Sequence, residues 1–143
     1  MNYLEMYNDI MKKAPAIALA TTVDGMPDVR LISHCVIPER PDVLYFSTNR
    51  TSPKVLQFGA NNIISLSTVP SPSDGHIHVR SKNATVRKSD LSIADVKDIF
   101  IEQIPGFDKI LSVIGAYTDV YEIHMKEATV VLNPMQTGTV TFK

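Results

Sequence analysis

Residues 16–32 read AIALATTVDGMPDVRLI, two runs of small and β-branched residues on either side of the dipeptide Asp24-Gly25. An Asp-Gly pair between two such runs is a strong signal for a β-hairpin, because it suits the tight turn that joins antiparallel strands. The stretch therefore predicts strands over residues 16–23 and 29–32 that pair with each other.

The pattern continues on both sides of this hairpin. Helical spacing of apolar residues predicts a short amphipathic helix over residues 2–13, which stops before Pro15. Further strands are predicted at residues 43–48, 62–69, 76–88, 119–125, 128–132 and 138–142.

Two more helices are predicted from their end signals. Ser52 suits an N-cap and Pro53 the first helical position, so a short helix is expected to run through Phe58 and to close at Gly59. Ser92 with Asp95 resembles a capping box and predicts a longer helix that residues 105–106 terminate.

This order of elements favours one architecture. Strands that follow one another through short turns pair antiparallel, and the helical crossovers of a doubly wound parallel sheet are missing. The expected fold class is mainly β, on the border with α+β. It is a closed or partly closed antiparallel barrel with Greek-key-like connections and peripheral helices.

Size and charge exclude several classes of protein. The 143 residues are expected to form one domain, residues 1–143. With 14 basic and 15 acidic residues the net charge is −1, which argues against a nucleic-acid partner. No apolar run reaches the roughly 18 residues of a spanning helix, and a lone cysteine suits a reducing compartment. We therefore expect a cytoplasmic protein with no membrane partner.

The joint between the strand at 43–48 and the helix that follows carries the clearest chemical signal. The first turn of a helix has free N–H groups and partial positive charge, so it can hold an anion. Arg50, Thr51, Ser52 and Lys54 add positive charge and hydroxyl donors at this point, and the phosphate of a small cofactor would fit. The alternative is an ordinary helix start with solvated basic residues, and the sequence leaves both interpretations open.

Arg30 is a second candidate. It lies in a strand that is otherwise rich in apolar residues, and a guanidinium there needs a partner, for which phosphate is a good bidentate ligand. An arginine that points to solvent from a one-sided strand is the alternative.

Taken together, these pieces resemble the pyridoxamine 5′-phosphate oxidase-related FMN-binding split-barrel proteins over nearly the whole chain. The resemblance is carried by the order and spacing of several short motifs: the strand at 16–23, Asp24-Gly25, Pro27-x-Val29-Arg30, Leu44-Tyr45-Phe46-Ser47-Thr48, Ser52-Pro53-Lys54 and Tyr121-Glu122-Ile123.

The resemblance implies a homodimer that binds FMN in a split barrel, acts as an oxidoreductase, and takes a small redox substrate or a nicotinamide donor. The residues that it implies as cofactor contacts fall into two groups. Arg30, Ser52 and Lys54, with Arg50 beside them, would hold the phosphate. The flavin ring would lie near Leu31, Ile32, Ser33, Ser47 and Thr48, with His76 donated by the second subunit.

The chain departs from the oxidase itself in two places. Cys35 stands where the oxidase has a substrate-binding lysine, and there is neither a tryptophan nor a basic C-terminal motif. We therefore do not expect synthesis of pyridoxal phosphate. No catalytic residue is identified, and Cys35 is expected to be a small buried hydrophobe.

Other functions stay open as alternatives. One is a non-enzymatic flavin carrier or electron-transfer protein, and another is a haem-binding relative in which His34 or His124 matters. His76-x-His78 lacks a second ligand pair at metal spacing, so no metal site is expected. An oligonucleotide-binding barrel would need a basic and aromatic stripe, which is missing.

Overall fold

The computed structural model describes residues 2–143. The strands are β1 Ile17–Val23, β2 Met26–Ile32, β3 Cys35–Val36, β4 Val43–Asn49, β5 Ile63–Thr68, β6 His78–Lys88, β7 Thr118–His124, β8 Glu127–Asn133 and β9 Gln136–Thr141. The helices are α1 Tyr3–Lys13, α2 Pro53–Ala60, α3 Ile93–Gln103 and α4 Phe107–Ile114, and a short 3-10 helix Gly115–Tyr117 leads into β7.

All the strands belong to one antiparallel sheet in the order β2-β1-β5-β6-β7-β4-β3, with β8 and β9 branching from β6. The branch arises because β6 is long. His78, Val79 and Arg80 pair with β8, whereas the stretch from Thr85 to Lys88 pairs with β7. The sheet therefore curls into a split half-barrel with helices at its periphery, and the predicted fold class is confirmed.

The β1–β2 hairpin forms at the predicted place. Val23 pairs with Met26, and between them Asp24 and Gly25 have φ angles of 52° and 78°. Two successive residues with positive φ make the type I′ turn that matches the twist of the paired strands. The hairpin leaves β2 at the edge of the sheet.

The sheet is packed on both sides near β4. Leu44 and Phe46 belong to the barrel core, together with Tyr7 of α1 and Phe58 of α2. Val43 and Tyr45 alternate with them and face a second cluster. That cluster includes Cys35, Val96 and Phe100 of α3, and Phe107 of α4. Because side chains alternate along a strand, the run Val-Leu-Tyr-Phe is buried on both faces.

Two predicted helix ends need correction. The prediction that Gly59 closes α2 is wrong, because the helix continues to Ala60 and Asn61 is its C-cap, so Gly59 lies in the last turn. The break after α3 is confirmed, since Ile104 caps that helix. Gly106 at φ 78° then starts α4, which the sequence analysis missed.

The remaining boundaries shift by a few residues. The strand expected from residue 76 begins at His78, and His76 lies in the turn before it. The capping box of α3 is present in both directions between Ser92 and Asp95. Within residues 2–143, no helix combines the length and apolar character that crossing a bilayer requires.

Candidate functional site

Arg30 lies on β2 with its guanidinium held against the neighbouring strand β1. Its Nη1 donates to the backbone oxygen of Leu19 at 3.1 Å and to Oγ1 of Thr21 at 3.0 Å. Its Nη2 donates to Oδ2 of Asp28 at 3.0 Å and to Oε1 of Gln57 on α2. The side chain is only 19% exposed. Arg30 therefore links the edge hairpin to α2 and does not extend into solvent.

Lys54 approaches the same place from the first turn of α2. Its Nζ donates to Oγ of Ser52 at 2.9 Å. Ser52 occupies the predicted N-cap position, but its side chain accepts no N–H of the helix. Partial burial and the nearby positive charge of Arg30 lower the pKa of the Lys54 ammonium. Two cations from separate elements thus lie close enough to repel each other.

The charges of this group do not balance. Asp28 is the one carboxylate that contacts Arg30, and its side chain is 56% exposed. Among residues 2–143, no carboxylate lies within ion-pair distance of Lys54. We call Thr21, Asp28, Arg30, Ser52, Lys54 and Gln57 the cation cluster. It carries a surplus positive charge beside a helix N-terminus, a combination that suits a phosphate group.

Arg50 is directed to a different part of the molecule. Its Nη2 donates to Oδ1 of Asp119 at 3.2 Å and to the backbone oxygen of Ala116 at 3.3 Å. The guanidinium already has a carboxylate partner on β7, so the structure does not bring Arg50 together with Lys54. Thr51 bonds locally, since its N–H and hydroxyl both donate to Oδ1 of Asn49.

The predicted ring contacts lie along two strands. Leu31 is 66% exposed, Ile32 is buried in the barrel core, and Ser33 follows the end of β2. Because β2 is an edge strand, part of its backbone has no strand partner and is free to bind a ligand. Ser47 and Thr48 are adjacent on β4, so their side chains point to opposite faces of the sheet.

A second polar cluster lies on the other side of the sheet, around Glu122 of β7. One carboxylate oxygen accepts from Nε2 of His124 at 2.8 Å and from Arg87 at 3.2 Å, and the other accepts from Ser89 at 2.6 Å. Burial raises the pKa of Glu122, but the hydrogen bonds from Ser89, His124 and Arg87 outweigh it and lower that pKa overall. We call these four residues the Glu122 cluster. Within this cluster the negative charge of Glu122 is paired with the positive charge of Arg87.

The other histidines and the cysteine have separate surroundings. His76 is exposed, and His78 bonds through Nδ1 to the backbone oxygen of His76. His34 is buried against α1. Cys35 is fully buried, and burial raises the pKa of its thiol to about 12, so it stays protonated. Among residues 2–143, no three His, Cys, Asp or Glu side chains gather as a metal site would require.

Comparison with known proteins gives the family. The family described as pyridoxamine 5′-phosphate oxidase-like matches residues 10–135. The chain belongs to this family. No curated protein matches the chain in sequence.

Solved structures similar to this family member share its fold at low sequence identity. A haem-binding protein from Mycobacterium smegmatis aligns with a TM-score of 0.79 at 10% identity, over 99% of this chain and 58% of its own length. A pyridoxamine 5′-phosphate oxidase-like protein from Listeria innocua gives 0.71 at 11% identity, over 92% of this chain and 100% of its own. An FAD-binding protein from Mesorhizobium loti gives 0.65 at 15% identity, with coverages of 97% and 93%.

The sequence analysis missed three members of the cation cluster: Thr21, Asp28 and Gln57. Two of them had a signal. Asp28 precedes Arg30 by two residues and so shares its face of β2, and Gln57 follows Lys54 by three residues and so shares its face of α2. The position of Thr21 depends on the strand register, which sequence spacing alone does not fix.

Proposed function

We propose that this member of the pyridoxamine 5′-phosphate oxidase-like family binds FMN and works as an oxidoreductase. The observation that carries the proposal is the convergence of two cations, Arg30 and Lys54, of which only Arg30 has a carboxylate partner, the exposed Asp28. A phosphate dianion would neutralise the surplus charge and accept charge-assisted hydrogen bonds from Lys54 and from Ser52. It would reach Nη2 of Arg30 by displacing Asp28 or Gln57. FMN, when bound, supplies the electron-transfer chemistry, and the protein supplies binding and orientation.

The flavin ring would lie along the edge strand β2. Leu31, Ile32 and Ser33 would offer backbone N–H and C=O groups, and the buried side chain of Ile32 would hold that backbone in place. Ser47 and Thr48 are adjacent on β4 and point to opposite faces of the sheet, so the flavin ring would contact the side chain of only one of them. Arg50 is left out of the proposed phosphate contacts, because its partners, Ala116 and Asp119, are not part of the cation cluster.

The substrate would be a small redox molecule or a nicotinamide donor. Cys35, at the position of the oxidase lysine, is buried and protonated, so it offers neither positive charge nor a nucleophile. We therefore expect no saturable oxidation of pyridoxamine phosphate, and robust formation of pyridoxal phosphate would contradict this. An unpaired buried thiol is also compatible with a cytoplasmic protein.

We propose a homodimer formed through the outer face of the sheet. A row of residues crosses six strands there: Leu31, Ala18, Ser67, Arg80, Thr129 and Thr139. Ala18 and Ser67 are small and would allow close approach, and Leu31 and the nearby Val29 are 66% and 64% exposed. In a two-fold dimer each site can draw on both chains, and His76 is the proposed donated residue.

Light scattering tests the assembly. The flavin-loaded protein should give about twice the 15.8 kDa chain mass. Dilution should release flavin together with dissociation, because binding across an interface couples the two equilibria. A monomer that retains flavin tightly would rule out the shared site while leaving FMN binding intact.

The cofactor proposal is tested by comparing FMN with riboflavin, which lacks the phosphate. The native protein should bind FMN at least about tenfold more tightly, and Lys54→Met should remove most of that difference. Lys97→Met, an exposed lysine on α3, is the matched control and should change nothing. Equal affinity for the two flavins would contradict the proposal, and a Soret band in the purified protein would favour haem.

A further inference from the structure

A cavity lies where three chain segments meet, and no residue of the cation cluster lines it. It has a volume of about 380 Å³ and is formed by the C-terminal end of α1, the link between β2 and β3, and the C-terminal end of α3. Apolar surface from Ala14, Pro15, Ile104 and Pro105 makes up part of its wall. His34 and Lys12 provide polar groups in the same wall.

His34 has one ring nitrogen without a partner. The side chain is only 7% exposed, and its Nε2 lies 2.8 Å from the backbone oxygen of Met11. A carbonyl oxygen only accepts, so Nε2 carries the hydrogen and Nδ1 keeps its lone pair. Nδ1 is buried and has no hydrogen-bond partner. Burial also lowers the pKa of His34, which keeps the ring neutral near pH 7.

Nδ1 of His34 is a buried acceptor without a hydrogen-bond donor. Buried polar atoms are nearly always hydrogen-bonded, because a buried atom without a partner has lost its hydrogen bonds to water and gained none in return. The neighbouring amide of Gln103 bonds to the backbone of Val36 through its oxygen and through its nitrogen, and it makes no hydrogen bond to His34. No side chain or backbone group among residues 2–143 supplies a donor to Nδ1, which leaves the atom to a water or to a ligand beside the ring.

Lys12 adds a positive charge to this cavity. The adjacent Lys13 pairs with Asp9 at 3.1 Å, but Lys12 has no carboxylate within ion-pair distance among residues 2–143. A ligand that enters the cavity thus meets the ring of His34, the side chain of Lys12 and apolar walls.

We propose that this cavity binds a small organic anion that carries an O–H or N–H donor. The donor would bond to Nδ1 of His34, the anionic group would pair with Lys12, and the apolar part of the ligand would pack against Ile104 and the two prolines. Ser33, a proposed flavin contact, also lines this cavity, so binding is tested on flavin-free protein and does not depend on the outcome for the cofactor.

NMR of protein labelled with ¹⁵N in its histidines tests the proposal directly. Long-range ¹H–¹⁵N spectra should show His34 as the Nε2–H form with an unprotonated Nδ1. Titration with 4-hydroxybenzoate should move the Nδ1 resonance in a saturable way. 4-Methoxybenzoate, which has no donor, should leave Nδ1 in place, and phenol, which has no carboxylate, should bind at least about tenfold more weakly.

Two variants separate the contributions. His34→Gln keeps an amide N–H that can donate to Met11 but moves the acceptor from the ring Nδ1 to the amide Oε1, so 4-hydroxybenzoate should bind at least about tenfold more weakly. Lys12→Met should weaken binding to a similar extent, whereas Lys97→Met should not. An Nδ1 resonance that does not respond to millimolar 4-hydroxybenzoate would overturn the proposal, and so would undiminished binding by His34→Gln. The wild-type titration decides the matter even if a variant does not fold.

Discussion

The cation cluster and the Glu122 cluster are both groups of charged side chains on the same sheet, but their charges are balanced differently. Glu122 is buried and accepts hydrogen bonds from Arg87, His124 and Ser89, so its charge is compensated within the protein. Lys54 is half-buried, has Arg30 nearby, and reaches only the hydroxyl of Ser52. One cluster is complete, and the other lacks an anion.

The difference separates a structural role from a binding role. A charge cluster that satisfies itself stabilises the fold and leaves nothing for a ligand. A cluster with surplus charge destabilises the empty protein slightly, because its like charges repel each other. A ligand of opposite charge removes that repulsion when it binds. The electrostatic complement that is missing from the cation cluster is the reason to expect a phosphate there.

The largest effect should come from reversing a charge in the incomplete cluster. Lys54→Glu replaces attraction with repulsion and should reduce FMN affinity by about a hundredfold or more, measured by isothermal titration. Lys97→Glu makes the same change on an exposed part of α3 and should leave the affinity within about twofold. An equal loss in both variants would show that net charge matters and the cluster does not.

A substitution in the Glu122 cluster should change the stability of the protein and leave its affinity for FMN unchanged. Glu122→Gln keeps the shape of the side chain but weakens its hydrogen bonds, and should lower the free energy of unfolding by about 1–3 kcal/mol. Glu102→Gln, on an exposed part of α3, is the control for the same chemical change. Chemical denaturation measures the first effect and FMN titration should show none. A large loss of FMN affinity in Glu122→Gln would erase the distinction between the clusters.

The same carboxylate should make stability depend on pH. The folded-state pKa of Glu122 lies below its ordinary value of 4.5, so its contribution is fully present above that pH. The contribution is then lost as the pH falls through the folded-state pKa. Melting temperatures between pH 6 and pH 3 should therefore fall less steeply in Glu122→Gln than in the native protein. Parallel curves for the two proteins would contradict this role.

The smallest effect should come from Asp28, the one carboxylate of the cation cluster. Asp28→Asn removes its negative charge and should strengthen FMN binding by about two- to fivefold, because the exposed pair is partly screened by solvent. Asp108→Asn on α4 serves as the control. Weaker FMN binding in Asp28→Asn would mean that this carboxylate positions Arg30, and that the surplus charge is not what attracts the ligand.

Local signals in the sequence predicted local structure well. The Asp24-Gly25 turn and the Ser92–Asp95 capping box form as expected, because each depends on residues a few positions apart. Helix α4 was missed because Pro105-Gly106 indicates where a helix stops and does not indicate that another starts directly after it. Pairing of β1 with β5 and of β4 with β7 joins distant segments and has no local signature.

The candidate site shows the same limit. Arg30 and Lys54 were proposed together through the family resemblance, and the structure brings them close, but no spacing rule links positions 24 residues apart. Arg50 shows the converse. It is near Lys54 in the sequence, yet it bonds to Asp119, which is 69 residues away and becomes available only through the β4–β7 pairing.

The pKa of Lys54 is the quantity that tests the central claim most directly. It can be followed by ¹³C NMR of the lysine ε-carbons, with Lys54→Met used to assign the resonance. In the empty protein, burial and the charge of Arg30 should hold this pKa below the ordinary 10.5. FMN should raise it, because the phosphate stabilises the ammonium form, whereas riboflavin should leave it unchanged. A Lys54 pKa that does not respond to saturating FMN, or responds equally to riboflavin, would contradict the account.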